Sequence, residues 1–317
     1  MYVGVIDLQK AFDTVQREAL FYKLERVGVS DKMVRALKGV YRKVECGIQV
    51  SRGKVIGDIR SRVGLKQGCK LSPILFLLFI NEILEEIEKE GIGLPSLEGQ
   101  DIPGLVFADD ILLMSITPRG IQKSLDKIVE YCERWGLTVN QNKTKVMVCK
   151  KGTKLGKGEK WWIKGEEIKV VNRVEYLGII LTGRNNWKDQ IKRAKMRGLG
   201  ALAGITSINK SLPDVEIRIQ KNYYKAVVVG KVLYGAELWG ADQRGKELET
   251  IPARFIKIML GLPLCTANCG VRKMGEGISM QGDLLGRVLG YWRRLEKGEG
   301  GEVLQKAFKW QKENQGE

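Results

Sequence analysis

Short apolar runs alternate with amphipathic stretches as far as residue 183, and beyond that point only helical periodicity remains. Residues 1–7 read as a buried strand that ends on Asp7. Residues 15–27 carry Leu20 and Leu24 at helical spacing, and Ser30 caps a second helix with Met33, Val34, Leu37 and Tyr41. A hairpin is predicted over 45–50 and 55–63, around Ser51-Arg52-Gly53. A helix over 73–88 follows, with Pro73 near its start. Residues 105–116 read as two strands meeting at Asp109-Asp110. Thr117-Pro118 opens a helix with Ile121, Leu125, Ile128, Val129 and Cys132 on one face, and Gly136 stops it. A strand over 144–149, a Gly/Lys-rich loop over 150–160 and one or two strands over 168–181 complete this part. Helices are then predicted over 187–202, 212–234 and 242–260. From Lys297 the chain is polar and rich in Gly, Lys and Glu, which predicts a frayed tail. The pattern is α+β over 1–183, helical over 184–296 and tail-like over 297–317.

Composition narrows the chemistry. Hydrophobic residues make up 44% of 317 positions, enough for a sizeable core. Lysine and arginine number 54 against 37 aspartates and glutamates, a net charge of +17 spread along the chain. Nucleic acid is the polyanionic partner this implies. The sequence has no histidine, which excludes Ser-His-Asp and Cys-His catalysis and histidine-bearing zinc sites. Cys132 and Cys149 read as core thiols, and Cys265 and Cys269 lack the second pair a zinc site needs. Scattered cysteines fit a reducing intracellular compartment, nucleus or cytoplasm. The longest apolar run, residues 74–80, falls far short of the roughly 20 residues that span a bilayer, so no membrane association is expected.

What remains is carboxylate chemistry. Val5-Ile6-Asp7-Leu8 ends an apolar strand on an aspartate, and Phe107-Ala108-Asp109-Asp110 sets a pair inside a second apolar segment. Two divalent cations about 3.5–4 Å apart need shared carboxylate oxygens from neighbouring strands. Magnesium prefers such oxygens, with water and phosphate completing its shell. Taken singly, Asp7 could be a strand-end cap and Asp109-Asp110 an ordinary turn.

Five motifs in order carry a resemblance. Asp7-Leu8-Gln9-Lys10-Ala11-Phe12-Asp13-Thr14-Val15 resembles motif A of the reverse transcriptases of non-LTR (LINE-type) retrotransposons. Gly64-Leu65-Lys66-Gln67-Gly68-Cys69-Lys70-Leu71-Ser72-Pro73 is similar to their motif B, and Phe107-Ala108-Asp109-Asp110 to motif C. Gly136-Leu137-Thr138-Val139-Asn140 with Lys143-Thr144-Lys145 resembles motif D, and Tyr176-Leu177-Gly178 motif E. Leu233-Tyr234-Gly235-Ala236-Glu237-Leu238-Trp239-Gly240 looks like the stretch that follows the thumb.

The resemblance implies an α+β polymerase palm, an antiparallel sheet with helices on one face, followed by an all-helical thumb and C-terminal region. It implies RNA-templated addition of deoxynucleotides to a DNA primer, with two magnesium ions or manganese in their place. Asp7, Asp109 and Asp110 would be the metal ligands, with the Leu8 carbonyl as a further one. Lys143 would give a proton to the leaving pyrophosphate. Phe12 would be the gate against a ribose 2′-hydroxyl, which disfavours RNA synthesis. Gln67 and Gly68 would meet the incoming nucleotide and template, and Tyr176, Leu177 and Gly178 the primer end. The cationic helix with Lys188, Lys192 and Arg193 would track a nucleic-acid backbone.

Two departures stand out. Arg17 occupies a place where the family commonly has histidine. Motif A begins six residues after Met1, whereas the family has fingers upstream. A separate or upstream segment is therefore expected to supply them, and the 317-residue chain alone is expected to extend a primer poorly. The second reading from the sequence is a catalytically inactive remnant or co-opted nucleic-acid-binding protein.

Overall fold

The computed structural model describes residues 1–51, 53–150, 156, 159–211, 215–275 and 277–314, with the backbone alone at 46, 48, 49, 54, 55, 58, 59 and 208–211. It divides into two compact units, Met1–Leu177 and Gly178–Glu317, each with its own apolar core. Among the described residues, no helix is long and apolar enough to cross a membrane.

The first unit is α+β and is built on a five-stranded sheet. Tyr2–Asp7 is the middle strand, flanked by Asp110–Ser115 and Lys145–Val148, with Gly104–Phe107 and Lys169–Val171 outside them. Every pairing is antiparallel except that of Lys169–Val171 with Lys145–Val148. Register decides which side chains share a face, because successive residues of a strand point to opposite sides. Gly4 and Ile6 lie opposite Leu113 and Ile111. A Cβ on Gly4 would sit 3.5 Å from Ile121 of the helix Pro118–Trp135, so this face packs on that helix. Val3, Val5 and Asp7 point to the other face, beside Met114, Leu112 and Asp110. The central strand thus buries Gly4 and Ile6 on one face and ends the other on a carboxylate.

The helix Pro118–Trp135 follows its sequence signals closely. Thr117 Oγ1 accepts from the Gly120 amide at 3.0 Å, Pro118 occupies the first turn, and Gly136 closes the end with φ 73°. The helix predicted over 73–88 is instead two, Ser72–Ile80 and Glu82–Glu90. The Phe79 carbonyl accepts from Lys23 Nζ at 2.9 Å and from the Tyr131 hydroxyl at 2.8 Å. Asn81 between the two helices keeps helical dihedrals, φ −55° and ψ −37°, so they join end to end. The predicted hairpin is present as Glu45–Ser51 and Lys54–Arg60.

The second unit begins with the strand Ile179–Thr182 and is otherwise helical. Lys188–Ser211 runs longer than the predicted 187–202. Of the helix predicted over 212–234, residues 212–214 lie outside the described residues. The rest forms Ile217–Tyr223, a π-helical segment Tyr224–Val229 and the short turn Gly230–Val232. The helix predicted over 242–260 is a 3-10 segment, Gln243–Glu249, that passes into Thr250–Met259. Buried Trp239 and the stacked pair Tyr224 and Phe255, 4.2 Å between ring centroids, anchor this core. The tail expected from residue 297 carries the helix Glu302–Glu313, where Phe308 meets Trp292 edge-on at 4.9 Å. The polar composition hid that pairing.

Candidate active site

Pairing of Tyr2–Asp7 with Asp110–Ser115 sets Asp7 directly opposite Asp110, and Asp109 occupies the tight turn before it. That turn needs Ala108 in the left-handed region at φ 52°. Such a conformation costs an alanine about 1–2 kcal/mol and persists only where its surroundings hold it.

The strand end is then zipped to the segment after Gly136. Leu8 bridges Val139, the Gln9 amide donates to the Thr138 carbonyl, and the Asn140 amide donates to the Asp7 carbonyl at 2.8 Å. These bonds bring the Asn140 side chain onto Asp7, where Nδ2 donates to Oδ2 at 2.9 Å. Lys143 Nζ stands 3.6 Å from the same oxygen.

A pocket of about 500 Å³ opens there, lined by Asp7, Leu8, Phe12, Gln67, Asp109 and Lys143 together with Asn140 and Asp13. Burial pushes the Asp110 carboxyl above the usual range, and the charges of Asp109 and Asp7 add to the effect. Burial also raises the Tyr176 hydroxyl, and the Asp110 charge adds to the effect. Among the described residues, no three His, Cys, Asp or Glu side chains form a metal-ligand cluster. The donors the register does gather are hard oxygens of like charge, the set that suits a magnesium ion that keeps water and phosphate ligands.

Phe12 is half-buried and stacks on Phe76 at 4.8 Å between centroids, which fixes its ring at the pocket wall. Gln67 Nε2 donates to Asp13 Oδ1 at 2.8 Å. Gly68 beside it adopts φ 80°, with nothing within 4 Å of the place a Cβ would take. The loop carrying both is stitched to the first motif by the Gly64 amide on the Val15 carbonyl and the Leu65 amide on the Phe12 carbonyl.

Gly64 is held at φ +82°, and a Cβ there would lie 2.7 Å from the Asp13 carbonyl oxygen. Gly28, at φ +85°, has open space around it. Strain at positive φ should cost alanine about 1–3 kcal/mol at either position. Gly64→Ala is expected to lose more than Gly28→Ala, because only the former meets backbone. Parallel denaturant curves of the two variants check this, and equal losses would deny the close approach.

Leu177 and Gly178 take consecutive left-handed conformations, φ 47° and 76°, at the end of the first unit and the start of the second. In the second unit Lys188 and Lys192 are exposed one turn apart on Lys188–Ser211, and Arg193 is half-buried. Sequence reading assigned no role to Asn140 or Asp13, although both lie in quoted motifs. Their partners were the missing information.

The family model described as "Reverse transcriptase (RNA-dependent DNA polymerase)" matches residues 1–181. The chain is 31% identical over 138 residues to the Retrovirus-related Pol polyprotein from type-1 retrotransposable element R2 of Popillia japonica, covering 44% of this chain and 23% of that one. It is 24% identical over 270 residues to the probable RNA-directed DNA polymerase from transposon BS of Drosophila melanogaster, covering 81% and 29% respectively. A structure of telomerase from Candida albicans in complex with a telomeric RNA fragment aligns with a TM-score of 0.43 at 12% identity, over 88% of this chain and 51% of that one.

The chain belongs to the reverse transcriptase family, the RNA-directed DNA polymerases. Within that family its relatives are of the non-LTR retrotransposon kind, R2, jockey and BS. It spans less than a third of the length of the R2 and BS relatives described above.

Proposed function

We propose that the pocket lined by Asp7 and Asp109, with Asp110 paired opposite Asp7 beside it, is the nucleotidyl-transfer site of an RNA-directed DNA polymerase palm, with the helical unit as thumb. The observation that supports it most is the register that sets Asp7 opposite Asp110, with Asp109 in the adjoining turn. Asp7, Asp109, Asp110 and the Leu8 carbonyl would hold two magnesium ions. When bound, these supply Lewis-acid activation of the primer 3′-hydroxyl and neutralise charge on the phosphoryl group.

The chain's own residues do the rest. Asn140 holds the Asp7 carboxylate in place through its carboxamide. Lys143, mostly exposed and lining the pocket, would give a proton to departing pyrophosphate. Phe12, braced by Phe76 at the pocket wall, would act as the gate against a ribose 2′-hydroxyl. Gln67 and Gly68 offer a side-chain amide and a bare backbone to nucleotide and template. Tyr176, Leu177 and Gly178 support the primer end, and Lys188, Lys192 and Arg193 carry nucleic-acid phosphates.

Single-nucleotide addition to a DNA primer on an RNA template tests this, with the chain alone and joined to a fingers segment of a related element. Addition should require magnesium or manganese and Asp109, and Phe12→Val should let ribonucleotides in. Retained RNA binding with no addition by a folded fusion would favour a nucleic-acid-binding protein descended from such an enzyme.

A further inference from the structure

A second recess in the first unit lies outside every motif assigned above. It is a groove of about 860 Å³ between the helix Asp31–Arg42 and the segment around Arg60–Arg62. Among the described residues, seven cationic side chains line it against one carboxylate, Glu18. Lys38 is paired with Glu25 and Arg60 loosely with Glu45, at 3.3 and 3.9 Å. Arg35, Arg42, Lys43 and Arg62 are exposed and have no carboxylate partner among the described residues. Four unneutralised cations around one concavity repel each other, and a polyanion entering it would relieve that repulsion.

The walls are fixed in advance. Arg17 is buried at the base and donates to the Tyr41 carbonyl on the helix side. On the other side it donates to the carbonyls of Ser61, Val63 and Gly64, at 2.7, 3.0 and 2.9 Å. The residue standing where the family commonly has histidine therefore ties the two walls together.

The groove also leads somewhere. An adjoining recess of about 730 Å³ shares Arg17, Lys43, Val44 and Ser61 with it. The same recess shares Asp13 and Gln67 with the carboxylate pocket. The aromatic residues of the groove, Phe21 and Tyr41, are both buried, which leaves no exposed ring for bases to stack on.

We propose that this groove is a track for a single-stranded polynucleotide running toward the carboxylate pocket, gripped through its phosphates by Arg35, Arg42, Lys43 and Arg62. It rests on the polymerase reading in taking that strand to be template. A grip on phosphates without base stacking is indifferent to sequence.

The test uses the full 317-residue chain and a fluorescein-labelled single-stranded RNA, with anisotropy followed against salt. Removing one cation that neutralises a phosphate should flatten the slope of log K against log salt by about 0.7 for a single strand. Combining Arg35→Ala, Arg42→Ala, Lys43→Ala and Arg62→Ala should therefore flatten it by roughly two to three, with the melting curve intact. Photocrosslinks from 4-thiouridine RNA to the unsubstituted chain should fall on the peptides around residues 35–43 and 60–62. An unchanged slope, or crosslinks confined elsewhere, would overturn the proposal. So would a variant that no longer binds phosphatidylserine vesicles yet binds RNA as before, which would make the groove a membrane-docking surface. The variant Asp109→Asn separates the two readings. If it keeps full metal affinity while the groove variant shows the flattened RNA slope, the track stands and the polymerase reading falls.

Discussion

Lys23→Ala is expected to destabilise the first unit by about 2–5 kcal/mol, whereas Lys23→Met should change it by less than about 1.5 kcal/mol. The Lys23 side chain is 1% exposed. Its ammonium reaches Glu82 at 2.9 Å, the Phe79 carbonyl and the Tyr131 hydroxyl, and lies 4.0 Å from the centroid of the Trp135 ring. Burial pushes this ammonium below the ordinary lysine range, more than Glu82 pulls it back. The unfolded chain therefore holds the proton more tightly than the folded one. The charge subtracts from stability at neutral pH, and the deficit shrinks as pH rises toward the free lysine value near 10.4. What Lys23 contributes is its volume among Phe79, Tyr131 and Trp135. Methionine keeps most of that volume. The Tyr131 hydroxyl still donates to Phe79, and Glu82 still reaches water. Denaturant curves read by tryptophan fluorescence and by circular dichroism settle the matter. Equal losses for both substitutions would mean that the ion pair, not the packing, holds this junction.

Buried cations mark the limit of what the sequence shows. An apolar strand ending on Asp7 and a pair of strands meeting at Asp109-Asp110 were legible, because alternation and turn residues are local signals. So was the helix between Thr117 and Gly136, whose caps lie within the signal itself. Lys23 and Arg17 were not, since pattern reading sends lysine and arginine to the surface. Their partners lie as far as 108 and 47 residues away. The same distance hid Asn140, which finds Asp7 across 133 residues. The bonds from Lys23 and Tyr131 to the Phe79 carbonyl, across 56 and 52 residues, were equally hidden. The basic groove is a further case. Its cations come from a helix and from a segment some 20 residues on, and only the fold makes them neighbours.

Asp109→Asn is expected to lower the affinity of the chain for magnesium or manganese by more than the roughly 10–100-fold that loss of a mere outer partner costs a metal site. Asparagine keeps the size of the side chain and one carbonyl oxygen, so the turn between Phe107 and Asp110 should form as before. What disappears is one of three negative charges. The Asp110 carboxyl is pushed up by burial first and then by the charges of Asp109 and Asp7, so both neighbours disfavour its ionised form in the absence of a cation. Removing Asp109 relieves part of that repulsion. The metal-free variant should therefore melt at the same temperature as the parent or higher, while its gain in melting temperature on adding metal should vanish. Asp13→Asn is the control. Asp13 lines the same pocket but is engaged by Gln67 at 2.8 Å, and its loss should leave metal affinity within a few-fold of the parent by the order of magnitude of an exposed hydrogen bond. Manganese titration followed by electron paramagnetic resonance gives the affinities, and thermal melts with and without magnesium give the linkage. Equal affinity in Asp109→Asn and the parent, or a metal-free variant that melts well below the parent, would remove Asp109 from the ligand set and with it the two-metal reading of this pocket.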